Sequence, residues 1–304
     1  MNRGPARAAT GLALYDRTAD RAAASVIGAY STSFALATRL LGARPRPHVR
    51  NVYALVRIAD EIVDGPGAEA GLDAGGQQRV LDDLEQETRD AVAHGFSANL
   101  VVHAFARTAR ACGIGEDLTA PFFASMRTDI STTTHDTGSH DAYVYGSAEV
   151  VGLMCLAVFV NADAPRPTPP SAHLVSGARA LGRAFQDVNF LRDLDHDARA
   201  LGRDYLGVEA NGATRAAVLD RIDADLDEAA SVIPALPRDC RAAVTAAHDL
   251  FASLSARLRR ASDSAGRVRV PNTAKAGLAA RAWLGGAPRQ TRHAGAGAIQ
   301  GERA

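Results

Sequence analysis

The stretch Gln186-Asp187-Val188-Asn189-Phe190-Leu191-Arg192-Asp193-Leu194-Asp195-His196-Asp197 decides the fold. Gln186, Asn189, Asp193 and Asp197 follow one another in steps of three and four, so a helix aligns all four on one stripe. Val188, Phe190, Leu191 and Leu194 then pack the remaining sides. A polar stripe inside a bundle costs free energy unless partners satisfy it. Metal ions and phosphate oxygens are suitable partners.

Working outward, a second acidic stretch lies upstream, Arg57-Ile58-Ala59-Asp60-Glu61-Ile62-Val63-Asp64. Asp60 and Asp64 are one helical turn apart, and Arg57 shares their face. Like charges at this spacing repel. They also sit at a helix C-terminus, just before Gly65-Pro66, where the macrodipole disfavours them. Hard divalent cations bound by a few carboxylates and substrate phosphates offset both costs. One such motif alone reads as a solvated acidic helix end. Two of them, each with an adjacent Arg (Arg57 and Arg192), predict a diphosphate site with two or three Mg²⁺ ions across a helical bundle.

The rest of the chain agrees with an all-α class. Of 304 residues 47% are hydrophobic but only 5% aromatic, and Ala and Leu dominate, which favours helices over strands. Apolar spacing predicts helices over 19–41, 48–64, 76–94, 98–111, 116–131, 141–161, 171–199, 213–231, 238–262 and 272–284. With no linker evident, residues 1–284 read as one domain and 285–304 as a flexible tail.

Net charge is zero, which argues against a nucleic-acid partner. Cys112, Cys155 and Cys240 are too scattered for a disulfide framework or a zinc site, consistent with a reducing cytoplasm. The first 25 residues lack an apolar signal region. The longest uncharged apolar run, Val150 to Val160, is shorter than the roughly 18 residues that span a bilayer and reads as a buried helix. From Arg257 onward there are ten basic and two acidic residues, so a peripheral contact with the inner membrane face is an expectation. His135 and His140 read as exposed imidazoles in a turn, and His196 as a neighbour of the acidic site. Met126-Arg127-Thr128-Asp129 offers one more charged pair for a diphosphate.

These motifs resemble the squalene/phytoene synthase family from about Tyr30 to Lys275. Tyr30-Ser31-Thr32-Ser33-Phe34 is similar to its opening substrate motif, and the two acidic stretches to its aspartate-rich motifs. The segment from Tyr143 to Met154 is similar to its tyrosine-to-glycine signature. Gly202-Arg203-Asp204-Tyr205-Leu206 and Arg267-Val268-Arg269-Val270-Pro271 with Lys275 complete the series. Glu149, Gly207 and Phe251 depart from the pattern, where a small residue, Pro and Tyr are common.

The resemblance implies a single-domain helical isoprenoid synthase fold with a central apolar cavity. It implies Mg²⁺, with Mn²⁺ as an alternative, held by Asp60, Asp64, Asn189, Asp193 and Asp197. Arg57, Gln186, Asn189 and Arg192 would bind diphosphate, and Tyr30, Ser31, Phe34 and Tyr143 would lie along prenyl chains. The expected reaction is head-to-head condensation of two geranylgeranyl diphosphates to phytoene through a cyclopropyl diphosphate, as in bacterial carotenoid pathways. The run Val150 to Val160, with Leu36, Leu40 and Leu41, would line the cavity, and Phe34, Tyr143 and Tyr145 would face the cation. Any one of these aromatics also reads as ordinary core packing. Other readings are squalene or dehydrosqualene formation from farnesyl diphosphate, a terpene cyclase, and a non-catalytic helical family member.

Overall fold

The computed structural model describes residues 10–131, 137–200, 215–260 and 268–291, with the side chains of 131, 137–139 and 193–200 left out. Every regular element among them is helical. In chain order these are α1 (Leu12–Tyr30), α2 (Thr32–Arg39), α3 (Pro45–Val63), α4 (Pro66–Glu69), α5 (Ala74–His94), α6 (Leu100–Cys112) and α7 (Glu116–Ser131). Then follow α8 (Thr137–Val144), a π-helical turn (Tyr145–Glu149), α9 (Val150–Asn161), α10 (Ala172–Ala200), α11 (Arg215–Val232), α12 (Arg238–Arg260) and α13 (Asn272–Trp283).

Local signals set the ends. Asp73 caps α5 through the Gly76 amide at 2.7 Å, and Asn99 caps α6 through the Val101 amide at 3.1 Å. The helix expected over 19–41 starts earlier and is broken. Ser31 takes an extended backbone (φ −143°, ψ 111°), and its hydroxyl accepts the Phe34 amide, so α1 stops and α2 begins. A serine that can cap the next turn outcompetes continuation of the first helix.

Two apolar clusters form the core. One joins Leu55, Ala59, Leu81, Phe105, Phe122, Phe123 and Met154, from α3, α5, α6, α7 and α9. The other joins Tyr143, Val188, Leu191, Ile222, Leu226, Phe251 and Leu278, from α8 and α10 to α13. The π turn with α9 lies between them. The helical stretch His140–Asn161 is long and apolar enough to cross a membrane by composition, with mean hydropathy 1.8. Half of it is buried, however, and it packs against α3, α6, α7 and α10 as a core helix.

That helix approaches its neighbours closely. A Cβ on Gly146 would lie 2.5 Å from the Pro121 carbonyl oxygen, and one on Gly182 2.8 Å from that of Ala148. Val150, Met154, Leu156, Ala157 and Val158 are packed in the core, whereas Val151, Gly152, Leu153, Cys155, Phe159 and Val160 of the same run are only half-buried. Leu41 likewise packs on Cys240 and Ala243.

Glu149 stands in this close-packed region and is buried. It is accommodated because Arg179 and Arg183 of α10 both pair with it, and Arg183 continues to Asp225 of α11 at 2.7 Å. Residues 285–291, read as the start of a flexible tail, are tied down. The Arg289 amide donates to Asp249 and the Thr291 amide to Asp227, both at 2.9 Å.

Candidate functional site

Asp60 lies in the last turn of α3, and Asp64 is its C-cap, with the Asp64 amide donating to the Asp60 carbonyl at 2.8 Å. Asp64 is exposed, whereas Asp60 is half-buried. Burial, then Asp64, then Asp129 of α7 push the Asp60 carboxyl up to about 8, and Arg57 offsets only part of this. Asp64 of the same helix and Asp129 of α7 therefore both act on the Asp60 carboxyl. Mg²⁺ characteristically takes one or two carboxylates and completes its shell with phosphate and water. Among the described residues no group of three or more His, Cys, Asp or Glu converges as a closed metal cage. Asp60 and Asp64, one turn apart at the end of α3, are hard oxygen donors of the kind that the metal implied by the motifs takes.

Arg57 does not stand ready for phosphate. It pairs with Glu61 and lies over the Tyr30 ring, 4.7 Å from its centroid. Its Nε is buried without an acceptor. The pairing is a simple (i, i+4) match on the helix surface, and Glu61 was legible for that role. Ser31, besides capping α2, hydrogen-bonds Tyr53, whose hydroxyl burial pushes up.

Phe34 is 38% exposed and lies 6.2 Å from both Tyr53 and Phe185 and 6.4 Å from Phe251, centroid to centroid. Phe185 and Phe251 stack at 3.7 Å. These four rings join α2, α3, α10 and α12. A groove runs on from them between α2, α12 and α13, lined by Leu36, Ala37, Ala247, Leu250 and Lys275. Phe251, which replaces a common tyrosine, thus packs as a pure hydrocarbon face.

On α10, Gln186 and Asn189 are half-buried, and among the described residues their side chains make no hydrogen bond. Arg192 is also half-buried. Asp193 and Asp197 continue the same helix, but their side chains, with that of His196, lie outside the described set. So do His135, Arg267 and residues 201–214, which include the segment from Gly202 to Gly207.

Tyr143 on α8 bridges the two halves. Its hydroxyl donates to Asp129 Oδ2 at 3.1 Å, and its ring lies 6.0 Å from Phe190 of α10. Thus α3, α7, α8 and α10 are connected through Asp60, Asp129, Tyr143 and Phe190. Three expectations need correction. Arg127 turns away from Asp129 and pairs with Asp82 and Glu85 of α5, because two carboxylates there outweigh one. His140 is buried, not exposed: its ring lies 5.8 Å from Phe190 and its Nε2 3.5 Å from Asp187. The Tyr145 ring is covered by Arg179 at 5.4 Å, so that face is already taken by a cation.

The chain matches the squalene/phytoene synthase family profile over residues 27–274. It is 32% identical over 196 residues to a chloroplastic phytoene synthase of Daucus carota, 64% of this chain and 46% of that one. The chain therefore spans about half the length of such plant relatives. A 15-cis-phytoene synthase of Paracoccus sp. is 27% identical over 274 residues, 84% of this chain and 87% of the relative. Among solved structures, a dehydrosqualene synthase in complex with ligand superposes with TM-score 0.72 at 23% identity, covering 88% of this chain and 96% of that one. A squalene synthase from Alicyclobacillus acidocaldarius gives 0.66 at 21%, covering 81% and 95%. Helical architecture, ordered motifs and a profile match over most of its length together make this chain a member of the squalene/phytoene synthase family.

Proposed function

We propose that this protein condenses two geranylgeranyl diphosphates head-to-head to phytoene, through a cyclopropyl diphosphate, releasing diphosphate. The observation that supports it most is the action of Asp64 and of Asp129 on Asp60, with Tyr143 hydrogen-bonded to Asp129 and its ring against Phe190 of α10, the helix that carries the polar stripe. The aromatic groove of Phe34, Phe185 and Phe251 supplies the apolar surface a prenyl chain needs. Asp60, Asp64, Asn189, Asp193 and Asp197 would hold Mg²⁺. When bound, the ion supplies Lewis-acid neutralisation of the leaving diphosphate.

The chain's own residues do the remaining work. Arg57 and Arg192 bind phosphate oxygens, Arg57 by exchanging its Glu61 partner for the substrate. Gln186 and Asn189 orient the diphosphate with amide hydrogens that the described residues leave uncommitted. Phe34 and Tyr143 offer ring faces to the allylic cation, and the apolar groove excludes water that would quench it. Likeness in sequence to phytoene synthases favours the C20 substrate. The C15 reading, giving dehydrosqualene or squalene, has support of its own from the fold similarity to synthases of those products. Comparing kcat/KM for geranylgeranyl and farnesyl diphosphate tests the choice: at least tenfold preference for the longer substrate is expected, and a preference for the shorter overturns the phytoene assignment.

We further place the enzyme in the cytoplasm, touching the inner membrane face. Arg257, Arg260 and Arg269 surround an open cleft of about 490 Å³, and Trp283 and Leu284 are 71% and 77% exposed. Sedimentation with anionic and neutral liposomes tests this, and equal recovery with both removes the electrostatic part.

A further inference from the structure

The contact between Asp129 and Tyr143 has two explanations. It could simply fasten α7 to α8, or it could prepare Tyr143 for the reaction. Both residues are buried, at 5% and 7% exposure, and the phenol donates to Asp129 Oδ2 at 3.1 Å. The ring lies 6.0 Å from Phe190 of α10, and Asp129 is one of the charges felt by Asp60 of α3. The contact therefore sits where four helices meet, beside the carboxylate cluster. A tie between two helices could be made anywhere along them and without a charge.

A buried carboxylate is costly unless charge-assisted hydrogen bonds compensate it, and the phenol provides one. The effect runs both ways. A phenol whose proton is held by an anion has a more electron-rich ring, and that ring attracts a cation more strongly. The hydrogen bond also fixes the ring plane, so no reorganisation is needed as positive charge develops.

We propose that Asp129 is a positioning residue of the prenyl-transfer site: acting through Tyr143, it fixes the phenol and enriches the ring that faces the allylic cation. Asp129 makes and breaks no bond with the substrate. The inference rests on the prenyl-transfer reading above.

The test compares wild type, Asp129→Asn, Tyr143→Phe and the double variant, using geranylgeranyl and farnesyl diphosphates with Mg²⁺. Asp129→Asn keeps the volume and an acceptor oxygen but removes the charge. The expected result is a kcat roughly tenfold or more lower in each single variant, with KM within about threefold. The double variant should be no slower than the worse single one, because both remove the same interaction. Retained kcat with a lowered melting temperature assigns the pair to helix fastening and overturns the proposal. So do losses that multiply in the double variant.

A second readout does not depend on turnover. The tyrosine Raman Fermi doublet reports whether a phenol donates strongly, and the wild-type minus Tyr143→Phe difference isolates this one among six tyrosines. A strong-donor signature that disappears in Asp129→Asn is expected, and an unchanged one overturns the proposal. Should wild type process neither substrate, the functional reading fails while the Raman comparison still judges the pair. Should Asp129→Asn not fold, the kcat of Tyr143→Phe and its difference spectrum decide.

Discussion

Replacing Asp60 by Asn should abolish activity and yet stabilise the metal-free protein. Burial and the neighbouring Asp64 and Asp129 raise the Asp60 carboxyl from 3.8 to about 8. At about 1.4 kcal/mol per unit, keeping it ionised above pH 8 costs the fold up to ~6 kcal/mol. Residual water contact and coupling to Asp64 reduce this, and about 2–3 kcal/mol is the working expectation. Because the folded-state value is raised, the favourable contribution is fully present below about pH 4 and is lost as pH rises through about 8. Asparagine mimics the protonated acid and cannot ionise. The melting temperature of Asp60→Asn should therefore equal wild type near pH 4 and exceed it by about 4–6 °C at pH 8. Calorimetry in the presence of a chelator measures the difference directly. Adding Mg²⁺ should then raise the wild-type value and leave the variant unmoved. A variant less stable than wild type at pH 8, or a gap that does not change with pH, would refute the reasoning.

Arg183→Met should cost about 3 kcal/mol in urea unfolding, because Asp225 loses its guanidinium partner while remaining almost buried. Asp249→Asn removes the acceptor shared by Arg281, the Arg289 amide and His248. It should lose about 2–4 kcal/mol and expose Arg281 and Arg289 to trypsin, read by mass spectrometry of the first fragments. Ser31→Ala should cost about 1 kcal/mol through the lost cap of α2 and raise KM, since Phe34 and Tyr53 flank that junction. Unchanged values in any of these measurements would count against the corresponding contact.

Helix positions were readable because Gly, Pro and Asn punctuate a chain whose apolar residues recur at helical spacing: α5, α6 and α12 end within a few residues of expectation. The break at Ser31 was less visible, since a single serine with a local capping option looks like any other helical residue. The π turn at Tyr145–Glu149 was not readable at all, because periodicity averaged over such a segment cannot resolve one extra residue per turn. At the site, the acidic stripes were legible from spacing within one helix. Partners contributed by other helices were not: Asp129 for Tyr143, Arg221 for Asp187 at 2.8 Å, and Asp82 with Glu85 for Arg127 join residues far apart in sequence. Glu149 shows the same limit. Alone it reads as an awkward buried acid, and only the docking of α10 reveals that Arg179 and Arg183 neutralise it.

The most direct test is product analysis of the purified protein supplied with geranylgeranyl diphosphate and Mg²⁺, without nicotinamide, alongside Asp60→Asn and Asp193→Asn. A C40 hydrocarbon with release of diphosphate, absent from both variants and restored to neither by excess metal, is the result predicted. Hydrocarbon formation that survives loss of either carboxylate, or no hydrocarbon from a folded wild type with lipid supplied, would contradict the account.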